Sequence, residues 1–144
     1  MHSQQRRLNI VVKVKRILEK KAQIELADLR LKREEEHTRL ERLEGEREQI
    51  ISDTNAERRI QAAALQIQRS FLQQMARQIA GMEKTIDAIQ IAEDAKRVEV
   101  TERSQSKRTV ERVEQRRATE AVREQEKKEQ RLLDFLAQRI RWGW

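Results

Sequence analysis

Apolar residues return every third or fourth position along much of this chain, with polar residues filling the intervals. The pattern is strongest in residues 60–92, IQAAALQIQRSFLQQMARQIAGMEKTIDAIQIA, where Ile60, Ala64, Ile67, Phe71, Met75, Ile79, Met82, Ile86 and Ile89 draw one stripe. Such spacing marks one face of an α-helix, whereas a strand would alternate every second residue. A helix carrying this stripe is marginal in water until another apolar face covers it. The cover is expected from the N-terminal part of the chain. A helix beginning near Ser3 has Leu8, Val11, Val12, Val14, Leu18, Ala22, Leu26, Leu29, Leu40, Leu43 and Ile50 as its apolar members. Between Leu29 and Leu40, Arg33 and Glu36 take positions that the period assigns to the seam, and the arginine stem can cover apolar surface while its charge stays wet. Gly45 stands alone in this helical context and costs up to about 1 kcal/mol relative to alanine.

Ser52-Asp53-Thr54-Asn55 is the one cluster of turn-forming residues. These side chains compete with helix by hydrogen-bonding nearby backbone, and Thr54 followed three residues later by Glu57 reads as a capping box. The spacing therefore places a hairpin turn within about residues 51–58. A reversal there sets Leu18 against Ile89, Ala22 against Ile86, Leu29 against Ile79, Leu40 against Ile67, and Leu43 against Ala64 or Leu65, so apolar positions coincide. The rival, a symmetric hairpin with its apex near Phe71, would leave the most apolar segment at the tip. The fold class predicted is all-α: an elongated antiparallel two-helix coiled-coil hairpin. It forms a single domain over residues 1–144, with a first arm of about 3–51 and a second of about 58–140. A first arm of that length measures roughly 70 Å at 1.5 Å per residue.

In this arrangement the second arm outruns the first from about residue 98. The overhanging segment is dense in charge and ends in Leu132, Leu133, Phe135, Leu136, Ile140, Trp142 and Trp144. A solvated helix that ends in an apolar and aromatic cluster is expected to be a docking end, with Leu132, Leu133, Phe135, Leu136 and Trp142 as its contacts. The competing expectations are an end that folds back on Leu8–Val14 and an end that frays.

Composition agrees with long helices and sets limits on chemistry. Of 144 residues, 40% are charged, none is proline or cysteine, and three are glycine. Disorder is the rival reading of so polar a chain, and the sustained apolar period opposes it. The net charge is +7, but acidic and basic residues interleave as in a solvated helix face. Asp28/Lys32, Glu35/Arg39, Glu93/Arg97, Glu99/Arg103 and Glu124/Lys128 have the favourable acid-first order, at about 0.2–0.5 kcal/mol each. No apolar run approaches the roughly 18 residues of a membrane span. Lys13 and Lys15 break the short N-terminal run, so a signal peptide is not expected and a cytoplasmic location is the default. His2 and His37 are solitary, and Gly45, Gly81 and Gly143 form no phosphate-cradling loop. The reading is a non-enzyme without metal, cofactor or small-molecule substrate.

Three stretches carry a likeness to a known family. They are LNIVVKVKRILEKKAQIELADLRLKREEEHTRLERLEGER near the start, FLQQMARQI (71–79), and RLLDFLAQRI (131–140) near the end. Together they resemble FliJ of the flagellar type III export apparatus, and the related YscO-type proteins of injectisomes are similar. The resemblance spans nearly the whole chain. It implies a hairpin similar to the stalk subunit of rotary ATPases, one that promotes assembly of the export ATPase ring, couples it to the export gate and escorts export chaperones. It implies a gate-contacting patch on the second arm at Phe71, Met75, Gln78 and Met82. It also implies a cytoplasmic protein of flagellum biogenesis and motility, held peripherally at the cytoplasmic face of the inner membrane through the apparatus. An i,i+4 pair such as Phe71 and Met75 is equally what a coiled-coil seam contains. The alternatives are a nucleic-acid-binding basic coiled coil using residues 103–131, where interleaved glutamates would repel phosphates, and a generic structural coiled coil.

Overall fold

Both helices that the periodicity predicts are present. In a computed structural model, which describes residues 2–57 and 61–142, α1 runs His2–Ala56 and α2 runs Ala62–Arg141. They pack against each other as an antiparallel helical hairpin, and no strand occurs among the described residues. Packing divides the chain into two units, Ala22–Val100 and Met1–Lys21 with Thr101–Trp144.

The Ser52–Asn55 cluster does not turn the chain. It is the last part of α1, because its side chains find partners along the helix. The Thr54 hydroxyl donates back to the Ile50 carbonyl at 2.7 Å, Gln49 Nε2 donates to Asp53 Oδ1 at 3.0 Å, and the Glu57 amide donates to the Asp53 carbonyl at 3.2 Å. Such back-bonding is the usual way Thr is accommodated within a helix. α1 therefore runs through the cluster to Ala56, and α2 begins at Ala62. Residue 58, the end of the expected turn, and Ile60, the start of the expected stripe, lie outside the described residues.

The register differs from the expected one. Within Ala22–Val100, Leu40 packs with Ile79 and Ile86, and Leu43 and Met82 border the same cluster. Leu40 thus sits about two heptads further along α2 than the Ile67 expected opposite it. Met75, Ile79 and Ile86 are buried as the stripe requires. Ile67 and Phe71 are not on the seam: they are 70% and 51% exposed, while Leu65 and Leu72 are half-buried in their place. The seam of α2 proceeds 65, 68, 72, 75, 79, 82, 86, 89, 93, 96 in alternating steps of three and four. That strict heptad is a coiled-coil seam, and it excludes the neighbouring positions 67 and 71. Burial of each large apolar side chain contributes about 1.5–3 kcal/mol.

Within Met1–Lys21 and Thr101–Trp144, Val12 is 2% exposed and anchors the packing. Arg16 Nε lies 3.2 Å from Glu111 Oε1, and Lys107 Nζ lies 2.7 Å from Glu19 Oε2. α1 therefore covers α2 well past residue 98, and the expected overhang is shorter than the spacing suggested. From Gln115 to Trp142 every residue is exposed. The helix continues unbroken through this segment to Arg141, so the end neither folds back on Leu8–Val14 nor frays within the described residues.

Candidate partner-binding surfaces and the polar seam

The second arm starts with a run of alternatives for the same seam, and the heptad decides among them. Met75 and Met82 stand seven apart on the seam, with Met75 3% exposed and Met82 half-buried. Phe71 and Gln78 stand four residues before them and fall beside the seam, both exposed. The four patch residues are thus brought to one side of α2 but split by depth. Phe71 and Gln78 face outward, Met82 borders the core cluster, and Met75 is buried on the seam. The stripe through Phe71 and Gln78 continues through Ile67, Gln74, Gly81 and Thr85 without a charged residue. Space around Gly81 is open, with nothing within 4 Å of where a Cβ would stand. In a chain 40% charged, an uncharged exposed stripe is a surface suited to apolar contact.

The second candidate surface is the far end of α2. Leu132, Leu133, Phe135, Leu136 and Trp142 are between 43% and 77% exposed, and Ile140 is 80% exposed. Helical spacing sorts them onto two faces. Leu132, Leu136 and Ile140 form an aliphatic line. Phe135 and Trp142, seven apart, flank Arg139 and with Gln138 line a shallow groove. Trp144, also expected here, lies outside the described residues. Exposed apolar side chains in this number on one helix end form an apolar surface patch.

Sequence reasoning missed the polar layers of the seam. Glu93 occupies a core position of α2 and is fully buried. Its Oε1 accepts from Arg97 Nη2 at 2.9 Å and lies 3.5 Å from Arg30 Nε. Its Oε2 lies 3.1 Å from Arg33 Nη1, an ion pair without hydrogen-bond alignment. One carboxylate therefore meets three guanidinium groups, two of them from α1. Of these contacts only the Glu93/Arg97 pair was legible from spacing. Arg33 is half-buried, as its seam position requires. One turn further, Lys96 binds Glu25 of α1 and Glu99 of its own helix. The hydrogen bond that Lys96 donates to Glu25, and then the one it donates to Glu99, raises its pKa above the ordinary value of 10.5. Isolated buried ion pairs add little net stability, but polar core residues select register and orientation in coiled coils.

The described residues hold no group of three or more His, Cys, Asp or Glu side chains placed to bind a metal ion, and no helix is long and apolar enough to cross a membrane. The fold defines a helical coiled-coil hairpin with an uncharged stripe on α2 and an apolar end to the same helix. The family model for the flagellar FliJ protein matches residues 4–143, and the chain belongs to that family. No curated protein and no solved structure matches it. As a FliJ-family member the chain is a component of the flagellar type III protein export apparatus, from a family of non-catalytic cytoplasmic proteins.

Proposed function

We propose that this protein is the stalk of the export ATPase: it promotes assembly of the ATPase ring, couples the ring to the export gate at the cytoplasmic face of the inner membrane, and escorts export chaperones. The observation that carries the reading is the bare, ordered end of α2. From Gln115 to Trp142 the helix is wholly exposed and ends in large apolar side chains. A helix that is partnered over one part and bare over the rest can enter another protein without first breaking its own hairpin. Leu132, Leu133, Phe135, Leu136 and Trp142 are the contacts assigned to that docking end.

The gate contact is assigned to the stripe beside the seam. Phe71 supplies the exposed aromatic anchor and Gln78 the neighbouring polar contact, with Met82 at the edge. Met75 supports this patch from beneath by filling the seam, since at 3% exposure it has little surface for a partner while the hairpin is closed.

The test is to add the purified chain to the export ATPase and follow hexamer formation by light scattering together with ATP turnover. Both are expected to rise. Unchanged assembly and unchanged turnover would overturn the proposal.

A further inference from the structure

The outward face of the first turns of α1 combines exposed aliphatic side chains with exposed basic ones. Ile10, Val14 and Ile17 are 60%, 47% and 65% exposed. At 3.6 residues per turn all three lie within about 60° of one another on the side of the helix away from the seam. Arg6, Arg7, Lys13, Lys20 and Lys21 flank them on the same outward side, and all five are exposed. Residues 1–21 contain a single acidic residue, Glu19. It points the other way: Glu19 is 9% exposed and ion-paired with Lys107 of α2 at 2.7 Å. The packing thus removes the one carboxylate of this segment from its outward face and leaves five cations around an aliphatic line.

We propose that this face docks directly on an anionic lipid surface. Charge decides the occupant. The cations match a sheet of lipid phosphates, and the aliphatic line between them is placed to enter the headgroup boundary as the lysine and arginine stems extend toward it. Three exposed aliphatic side chains give too little apolar area for binding to neutral lipid, so the contact depends on headgroup charge and weakens with salt. The inference does not rest on the export reading, because it concerns the chain and a lipid surface alone.

The experiment is co-sedimentation of the full chain with vesicles of phosphatidylcholine, or of phosphatidylcholine mixed equally with phosphatidylglycerol. Binding is expected to the mixed vesicles alone and to fall as sodium chloride is raised. The triple variant Lys13→Glu, Lys20→Glu, Lys21→Glu should lose about tenfold or more of its partitioning. A control with the same change in net charge, Arg116→Glu, Arg117→Glu, Arg123→Glu on exposed positions of α2, should keep most of it. Circular dichroism reports whether each variant remains helical, and Lys20→Gln with Lys21→Gln serves as the milder probe if the triple variant unfolds. The proposal is overturned by failure to bind mixed vesicles, by equal binding to phosphatidylcholine alone, or by equal loss in the control. Failure to bind mixed vesicles would leave an acidic protein surface as the occupant of this face.

Discussion

Glu93 of α2 is fully buried and sits 3.1 Å from Arg33 of α1. Heptad spacing alone permits the two helices to slide past each other by seven residues and bring equivalent seam faces together again. The pairing of a core glutamate with a core arginine singles out one of those registers, because a slide would bury each charge against an aliphatic neighbour.

Removing one partner should therefore cost more than removing both. Glu93→Ala leaves Arg33 half-buried without its counter-charge and is expected to lower stability by about 1–3 kcal/mol, less than a deep pair because the guanidinium groups are partly solvated. The double variant Glu93→Leu with Arg33→Leu should be near neutral or more stable in urea unfolding. Its register should loosen. Spin labels at exposed Thr38 and Ala88 should show a second distance population, since a slide of one heptad moves a helix by about 10 Å. A single distance in the double variant would assign register to the apolar layers instead.

Phe71 and Met75 should separate by function. Met75→Ala opens a cavity in the seam and is expected to cost about 2–4 kcal/mol. Phe71→Ala, at an exposed position, should change stability by less than about 0.5 kcal/mol. In a pull-down against the cytoplasmic domain of the export gate, Phe71→Ala should lose capture while its unfolding curve stays in place. Full capture by Phe71→Ala would remove the stripe from the gate contact.

The alkaline limb of stability should report Lys96. Its pKa is raised above 10.5 by the carboxylates of Glu25 and Glu99, so the folded state holds the proton more tightly than the unfolded state does. That contribution is fully present below the unfolded value and is lost as pH rises through the folded value. The chain has no tyrosine to titrate in the same window. Urea midpoints should show no Lys96-dependent change between neutral pH and pH 9, then fall above 10.5, and Lys96→Met should flatten that fall. An identical alkaline slope in the variant would show that the pair contributes nothing.

Gly45 offers a gain. It lies inside α1 with nothing within 4 Å of its would-be Cβ, so Gly45→Ala meets no clash. The variant should be more stable by about 0.5–1 kcal/mol in thermal or urea unfolding.

Helix type and hairpin architecture were legible from the three- and four-residue period, because one apolar face per helix has few other ways to be covered. The register was not. Setting Leu40 opposite Ile67 matched apolar residues along the first helix, yet Leu40 packs with Ile79 and Ile86. A coincidence test on heptads returns the same score for every slide of seven, so it cannot distinguish an offset of two heptads. The information that does so lies in Glu93, Arg33, Glu19 and Lys107, which read as surface charge when each is taken alone. The Ser52–Asn55 cluster read as turn-forming for a related reason: Thr54 and Asp53 cap helices well, but inside one they bond back to the preceding turn. At the candidate site, Phe71 and Met75 looked equivalent at i,i+4. The strict seven-residue repeat through Leu72, Ile79 and Ile86 could have shown that Phe71 falls outside the seam.

The most direct test of the stalk reading uses the full chain carrying Leu132→Ser, Phe135→Ser and Leu136→Ser with the export ATPase. All three positions are exposed and make no part of the hairpin seam, so helicity and the unfolding midpoint should match those of the unaltered chain. Stimulation of ring assembly and of ATP turnover should be lost. Stimulation equal to that of the unaltered chain would contradict the assignment of the bare end of α2 as the part that engages the ATPase.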